Sequence, residues 1–150
     1  MTGGFWLCGN KVNELDLKRI IDLNKKVKEL VAKDKIGNVT IRFRQDKLMP
    51  DLIKHSFTAD IVKKALSDGL HLEDKDLYED PNEKHPKKNY YCIHENKNTL
   101  FYVKYILVSY YLFSTNIETF HICPMNKNSR EGRKYSEIKN QLEDFSLEKA

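Results

Sequence analysis

Residues 89–124 read NYYCIHENKNTLFYVKYILVSYYLFSTNIETFHICP, and this stretch decides the fold. It is rich in Tyr, Val, Ile, Phe and Thr, the residues that suit a pleated, half-buried surface. Its polar interruptions are short and turn-forming. Residues 89–95 read as a strand, and Asn96-Lys97-Asn98 as a hairpin turn. Residues 99–114 are one long bent strand or two shorter ones. Asn116-Ile117-Glu118 is a second turn, and residues 119–123 a further strand that Pro124 and Asn126 close. The most apolar window, residues 100–113, is interrupted by Lys104 and is too short for a membrane helix.

Upstream, the period changes. In residues 13–33, Leu15, Ile20, Leu23, Val27, Leu30 and Val31 recur at helical spacing, with Asn13 as cap and Asp16 near the positive end of the helix dipole. The opposite face carries Lys18, Lys25, Lys28 and Lys33, which reads first as a solvated face. Gly37-Asn38 stops the helix. Residues 39–44 alternate: Val39, Ile41 and Phe43 to one side, Thr40, Arg42 and Arg44 to the other. A short helix is expected from about Asp51 to His55, after Pro50. Thr58 caps a second helix over residues 59–67, which Asp68-Gly69 ends. Residues 73–86 are strongly polar and read as a surface loop. From Ser129 the chain is helical again, with Tyr135, Ile138 and Leu142 on one side.

The expected fold is α+β: a twisted antiparallel sheet of four to five strands, with helices packed on one face and at both chain ends. One domain spans residues 1–150, with residues 1–37 as an N-terminal helical extension on a core of residues 38–142.

Composition narrows the function only a little. The chain has 150 residues, 40% apolar and 32% charged, with net charge +4. That balance permits a polyanionic partner without requiring one. Cys8, Cys92 and Cys123 are odd in number and form no C-x-x-C pair, which points to reduced thiols in a cytoplasm. No basic leader precedes an apolar run at the start.

The metal and nucleotide motifs fail. His55, His71, His85, His94 and His121 form no H-x₃-H or H-E-x-x-H pattern, and no phosphate loop or nucleophile elbow is present. No metal and no cofactor are expected. What remains is basic and aromatic. Arg42 and Arg44 share a strand face; Lys87 and Lys88 run into Tyr90 and Tyr91; Arg130, Arg133 and Tyr135 cluster near the C-terminus. Cations track phosphates, and rings stack on unpaired bases. The plain alternative is that Lys and Arg face water by default and Tyr fits strands.

Phe43-Arg44-Gln45-Asp46, then Lys54-His55, then Thr58 opening a helix through Ala65-Leu66-Ser67-Asp68, resembles the start of BrnT-like toxins of the RelE ribonuclease superfamily. The run from Ile122 through Cys123-Pro124-Met125 to Arg130-Glu131-Gly132-Arg133-Lys134-Tyr135 resembles that family's last strand and its Arg/Glu-rich helix. The resemblance spans residues 43–135. It implies a RelE-like sheet whose open face binds RNA, metal-independent cleavage by 2′-hydroxyl attack, and a cognate antitoxin or immunity protein as partner. It assigns substrate contact or acid/base work to Lys54 and His55, and phosphate binding and charge stabilisation to Arg130, Arg133 and Tyr135. Arg42, Arg44, Lys87, Lys88, Tyr90 and Tyr91 would carry the RNA track, with His121 a further acid/base group. Gln45 stands where the family prefers Trp, Ser56 where Gly is usual, and Pro124-Met125 where an Arg is usual. Another class of function, a non-catalytic protein- or RNA-binding module on the same fold, fits the same composition.

These spacings make a metal test decisive. Elemental analysis of untagged protein should find no transition metal near one equivalent; stoichiometric zinc would overturn the metal-free chemistry.

Overall fold

The computed structural model describes residues 12–34, 40–44, 46–77, 89–110 and 114–149. Lys87, Lys88, His85, Cys8 and Gln45 lie outside them.

Helix α1 (Glu14–Asp34) opens as its sequence predicts, with Asn13 Oδ1 accepting from the Asp16 amide at 2.8 Å. Leu17, Ile20, Val27, Leu30 and Val31 are buried, and the four lysines face out. Leu15, expected in the apolar stripe, is exposed. Strand β1 (Ile41–Phe43) is followed by α2 (Leu48–His55), which starts three residues before the expected Asp51. Pro50 sits inside its first turn, where its missing N–H would have no helical partner in any case. Ser56 ends α2 in the left-handed region, φ 58°, which explains why a Gly fits there. Thr58 caps α3 (Ala59–Asp68), its side chain accepting from the Ile61 amide.

The polar stretch expected as loop begins instead with ordered structure. Strand β2 (Leu70–Glu73) runs into the short helix α4 (Asp74–Leu77). Sequence reasoning missed β2 because its four residues alternate weakly and lead into a charged run. Three long strands follow: β3 (Tyr90–Asn96), β4 (Thr99–Tyr110) and β5 (Ser114–Pro124). Lys97 and Asn98 both have positive φ, 49° and 68°, as a two-residue type I′ hairpin requires. The turn expected at Asn116-Ile117-Glu118 is not one: all three lie within β5, paired to β4. Asn116 supplied a turn residue type, but Ile117 is fully buried and holds the segment in the sheet. Helix α5 (Arg130–Lys149) closes the described chain.

The five strands are ordered β1-β5-β4-β3-β2. The chain enters at one edge with β1, crosses one face through α2 and α3, and re-enters at the far edge with β2. The meander β2 to β5 then walks back and meets β1. That route makes β1 parallel to β5 while every other pair is antiparallel, so the sheet is mixed.

Alternation sends Cys92, Phe101, Val103, Tyr105, Ile117 and Ile122 to one face, where they pack against α2, α3 and the C-terminal half of α1. Leu72, Tyr91, Ile93 and Leu100 face the other side and meet Ile20 of α1 and Tyr135 and Ile138 of α5. Helix α1 therefore supplies both clusters, and it is part of the core rather than an appendage to it. Each large aliphatic chain so buried stabilises by ~1.5–3 kcal/mol.

Two polar devices fix α1 to the sheet edge. The Asn24 amide donates to the His71 carbonyl at 2.9 Å and accepts from the His71 amide at 2.8 Å, pairing edge strand β2 as another strand would. Arg19 forks onto both carboxylate oxygens of Asp76 at 2.5 and 3.2 Å, and also reaches Glu73 at 3.0 Å. Gly69 joins α3 to β2 where space is absent: a Cβ there would stand 2.6 Å from both the Ala65 carbonyl oxygen and Cys92 Sγ.

Arg19→Ala should lower stability by about 2 kcal/mol in urea titrations, since it strands the buried Asp76. Arg44→Ala, which removes only the exposed 3.7 Å pair with Asp46, should cost under about 1 kcal/mol. Equal costs would show that the Arg19 fork is not an anchor.

Candidate functional site

The face of the sheet opposite α2 and α3 is only half covered. Among the described residues, the buried cluster made with α5 and α1 covers β2, β3 and the start of β4 at Leu100. Beyond it, Tyr102, Lys104, Ile106, Val108, Glu118, Phe120, His121 and Cys123 are half-buried, and Arg42 is exposed. A β-bulge shapes this surface. Lys104 pairs with His121 and Tyr105 with Thr119, so Phe120 is the extra residue on β5. The bulge turns Phe120 and His121 toward the same region.

A row of rings runs across three strands here. Tyr91 meets Tyr102 edge-on at 5.3 Å, and Tyr102 meets His121 at 5.7 Å. The Lys104 ammonium lies 5.4 Å from the Tyr91 ring centre and 5.7 Å from that of Phe120. At the end of the row, His121 Nδ1 is 2.6 Å from the Asp51 carboxylate. Asp51 comes from α2, which packs along β5 beyond the end of β1. An imidazole held at Nδ1 by a carboxylate has a fixed ring orientation and presents Nε2 outward. Sequence reasoning named His121 but missed Asp51, 70 residues away; no local signal marked it.

The other expected residues disperse. Lys54 is exposed and His55 half-buried on α2, its ring 6.3 Å from Phe57, which stacks toward Phe101 in the core. Asp51 stands one turn before both on α2, and it is Asp51 that reaches His121. Arg130 and Arg133 are exposed in the first turn of α5 and form no ion pair with a described residue. Tyr135 is buried, 8% exposed, in the cluster on the sheet face opposite Phe101. His55 and Tyr135 therefore belong to opposite faces, and the expected five-residue convergence is not formed. Arg42 lies opposite Glu118 in the β1–β5 register, and Arg44 pairs with Asp46. Tyr90 and Tyr91 point to opposite faces: Tyr90 stacks on Tyr105 at 5.4 Å, while Tyr91 is a core residue, 5% exposed.

A second constellation is buried. His71 Nδ1 is 2.7 Å from the Tyr105 hydroxyl, and Nε2 is 2.9 Å from the Leu66 carbonyl oxygen. A carbonyl only accepts, so Nε2 donates and Nδ1 accepts from Tyr105. Cys92 Sγ lies 3.9 Å from Nε2 and donates to the Ala65 carbonyl. The group resembles a Cys–His nucleophile pair, but its electrostatics run the other way. Burial lowers His71 to about 4 and pushes the Cys92 thiol well up, so neither charged form is accessible near neutral pH. The arrangement is structural. Cys92 and Cys123 are both free thiols.

Among the described residues, no group of three or more His, Cys, Asp or Glu gathers as a metal site, and no helix is long and apolar enough to cross a membrane. No family model, curated protein or solved structure matches this chain.

His71 makes stability depend on acid. Its folded value near 4 lies below the ordinary 6.5, so the contribution is complete above pH 6.5 and is lost as pH falls from there toward 4. The loss should reach about 3 kcal/mol at the acid end. Urea unfolding across that range should show a slope that His71→Gln reduces by one proton; an unchanged slope would place the acid sensitivity elsewhere.

Proposed function

We infer that this chain is a metal-independent endoribonuclease acting in a reducing cytoplasm, with its site on the uncovered side of the sheet. One observation carries the reading: His121, oriented by Asp51 at 2.6 Å, stands beside Tyr102 and directly opposite Lys104 in the strand register. The half-buried rings give an unpaired base a surface to stack on. His121 Nε2 takes the proton of the 2′-hydroxyl, and O2′ attacks phosphorus. The bond from phosphorus to O5′ breaks, leaving a 2′,3′-cyclic phosphate and a 5′-hydroxyl. The Lys104 ammonium stabilises the charge that grows on the phosphoryl oxygens. A cation or acid from the Lys54–His55 turn protonates O5′. Arg130 and Arg133, exposed in the first turn of α5, track phosphates rather than share in the chemical step. The resemblance to BrnT-like toxins supports this chemistry, and a cognate antitoxin would be the neutralising partner.

A second reading, a non-catalytic interaction module, is favoured by two side chains. Met49 and Ile53, 42% and 75% exposed, lie one turn apart on α2 and present apolar surface to a partner protein.

Cleavage of a mixed-sequence RNA in EDTA separates the two. His121→Ala and Lys104→Ala should each lower the rate by ~10²-fold or more with melting temperature unchanged. Asp51→Asn should move the alkaline or acid limb of the pH–rate profile, as a positioning residue does. Arg130→Ala should weaken RNA binding in a salt-dependent way and alter the chemical step little. Wild type inactive with and without magnesium leaves the module reading in place; activity surviving His121→Ala puts the site elsewhere.

A further inference from the structure

Residues of α1, β3 and α5 line a cleft of about 480 Å³, within the ~300–1,000 Å³ range of small-molecule sites. Its floor is the point where β2 stops. Leu70 is the first β2 residue and pairs with Ile93, so beyond Ile93 the edge of β3 has no strand partner among the described residues. Gly69 turns the chain away there, and the edge of residues 94–95 opens into the cleft.

The cleft is divided by chemistry. Ile21, Leu70, Ile93 and Leu142 give it an apolar body, and the Tyr135 ring forms part of the wall. Lys28 from α1, Lys139 from α5 and His94 from β3 also line it. Lys139 lies 6.0 Å from the Tyr135 ring centre. Neither lysine forms an ion pair with a described carboxylate. Of the two acidic side chains in the lining, Glu95 is already paired with Lys127. That leaves two unpaired cations against Asp68. A smaller hollow of about 330 Å³ adjoins it along α5, sharing Glu95, Tyr135 and Lys139.

We propose that this cleft is a binding site for a small organic anion with an aromatic or other apolar body, the body seated on the half-buried Leu70, Leu142 and Ile21 and the acidic group held by Lys28 and Lys139. The site lies on the α5-covered side of the sheet, away from the His121 row, and it stands or falls independently of RNA cleavage. It also gives Tyr135 a use other than catalysis: a buried ring that backs the cleft wall. Lys28 and Lys139 come from helices over 100 positions apart in the chain, so only the fold creates the pair.

The probe is 8-anilinonaphthalene-1-sulfonate, an aromatic body with one anionic group, compared with the neutral N-phenyl-1-naphthylamine. Titration of ¹⁵N-labelled protein should move the amides of Leu70, Ile93, His94 and the facing turns of α1 and α5, saturating at one equivalent. The sulfonate should bind roughly tenfold more tightly than the neutral probe, the scale of one partly enclosed charge contact. Lys28→Glu with Lys139→Glu should remove that preference, and Leu142→Trp should block both probes by filling the body of the cleft. Melting temperatures of the variants control for folding. Shifts centred on Tyr102 and His121 instead, an unaltered preference after charge reversal, or no saturation at millimolar probe would each overturn the assignment.

Discussion

His71 is the point at which the layers of this protein are tied together, and the tie is made of hydrogen bonds in a fully buried place. Its backbone pairs with Asn24 of α1, its Nε2 with the end of α3, and its Nδ1 with Tyr105 of β4, while Cys92 of β3 lies against it. An unpaired polar atom buried so deeply costs ~1–3 kcal/mol, so each partner is held in one position by the others. Gly69 next door follows from the same constraint, because α3 can approach β3 closely enough to reach His71 only where no Cβ intervenes.

That tie sets what the sheet can offer elsewhere. Helices α2 and α3 fill one face, and α1, drawn to the β2 edge by Asn24 and Arg19, cannot also reach across the other. Helix α5 reaches as far as Tyr91, Ile93 and Leu100. The remaining surface holds Tyr102, Lys104, Phe120 and His121, residues whose rings and charges are sheltered on one side only. A bulge on β5 and the loss of the β1 partner beyond Thr119 together bring His121 to Asp51. The cleft at the β3 edge lies between residues of the same α1 and α5. Both candidate sites are thus consequences of where the covering helices stop.

Much of the fold was legible. The helical period of α1 with its Asn13 cap, Thr58 before α3, the alternation around Ile41, and the β-rich run with its Lys97-Asn98 turn all act through neighbours a few residues apart. The misreadings share one cause. Asn116 has the composition of a turn, yet Ile117 is buried opposite Leu107 and Ile41, and long-range packing overrides local preference. Strand β2 was missed because four residues carry too little periodic signal. Tyr91 and Tyr135 read as partners for RNA from their company of lysines and arginines, and both are packed in the core.

The sequence by itself determined the helices over 14–34, 59–68 and from 130, the solvated lysine face of α1 and the absence of any metal-ligand spacing, because period, capping and motif spacing are properties of adjacent residues. Only the tertiary structure decided which cations and rings share a surface. It placed Asp51 on His121, set Lys104 between Tyr91 and Phe120, separated His55 from Tyr135 by the thickness of the sheet, and brought Lys28 and Lys139 to one cleft. These are juxtapositions across tens of residues. They follow from the strand order β1-β5-β4-β3-β2 and the bulge at Phe120, which are fixed by the burial of whole faces at once and leave no mark in any short window of the chain.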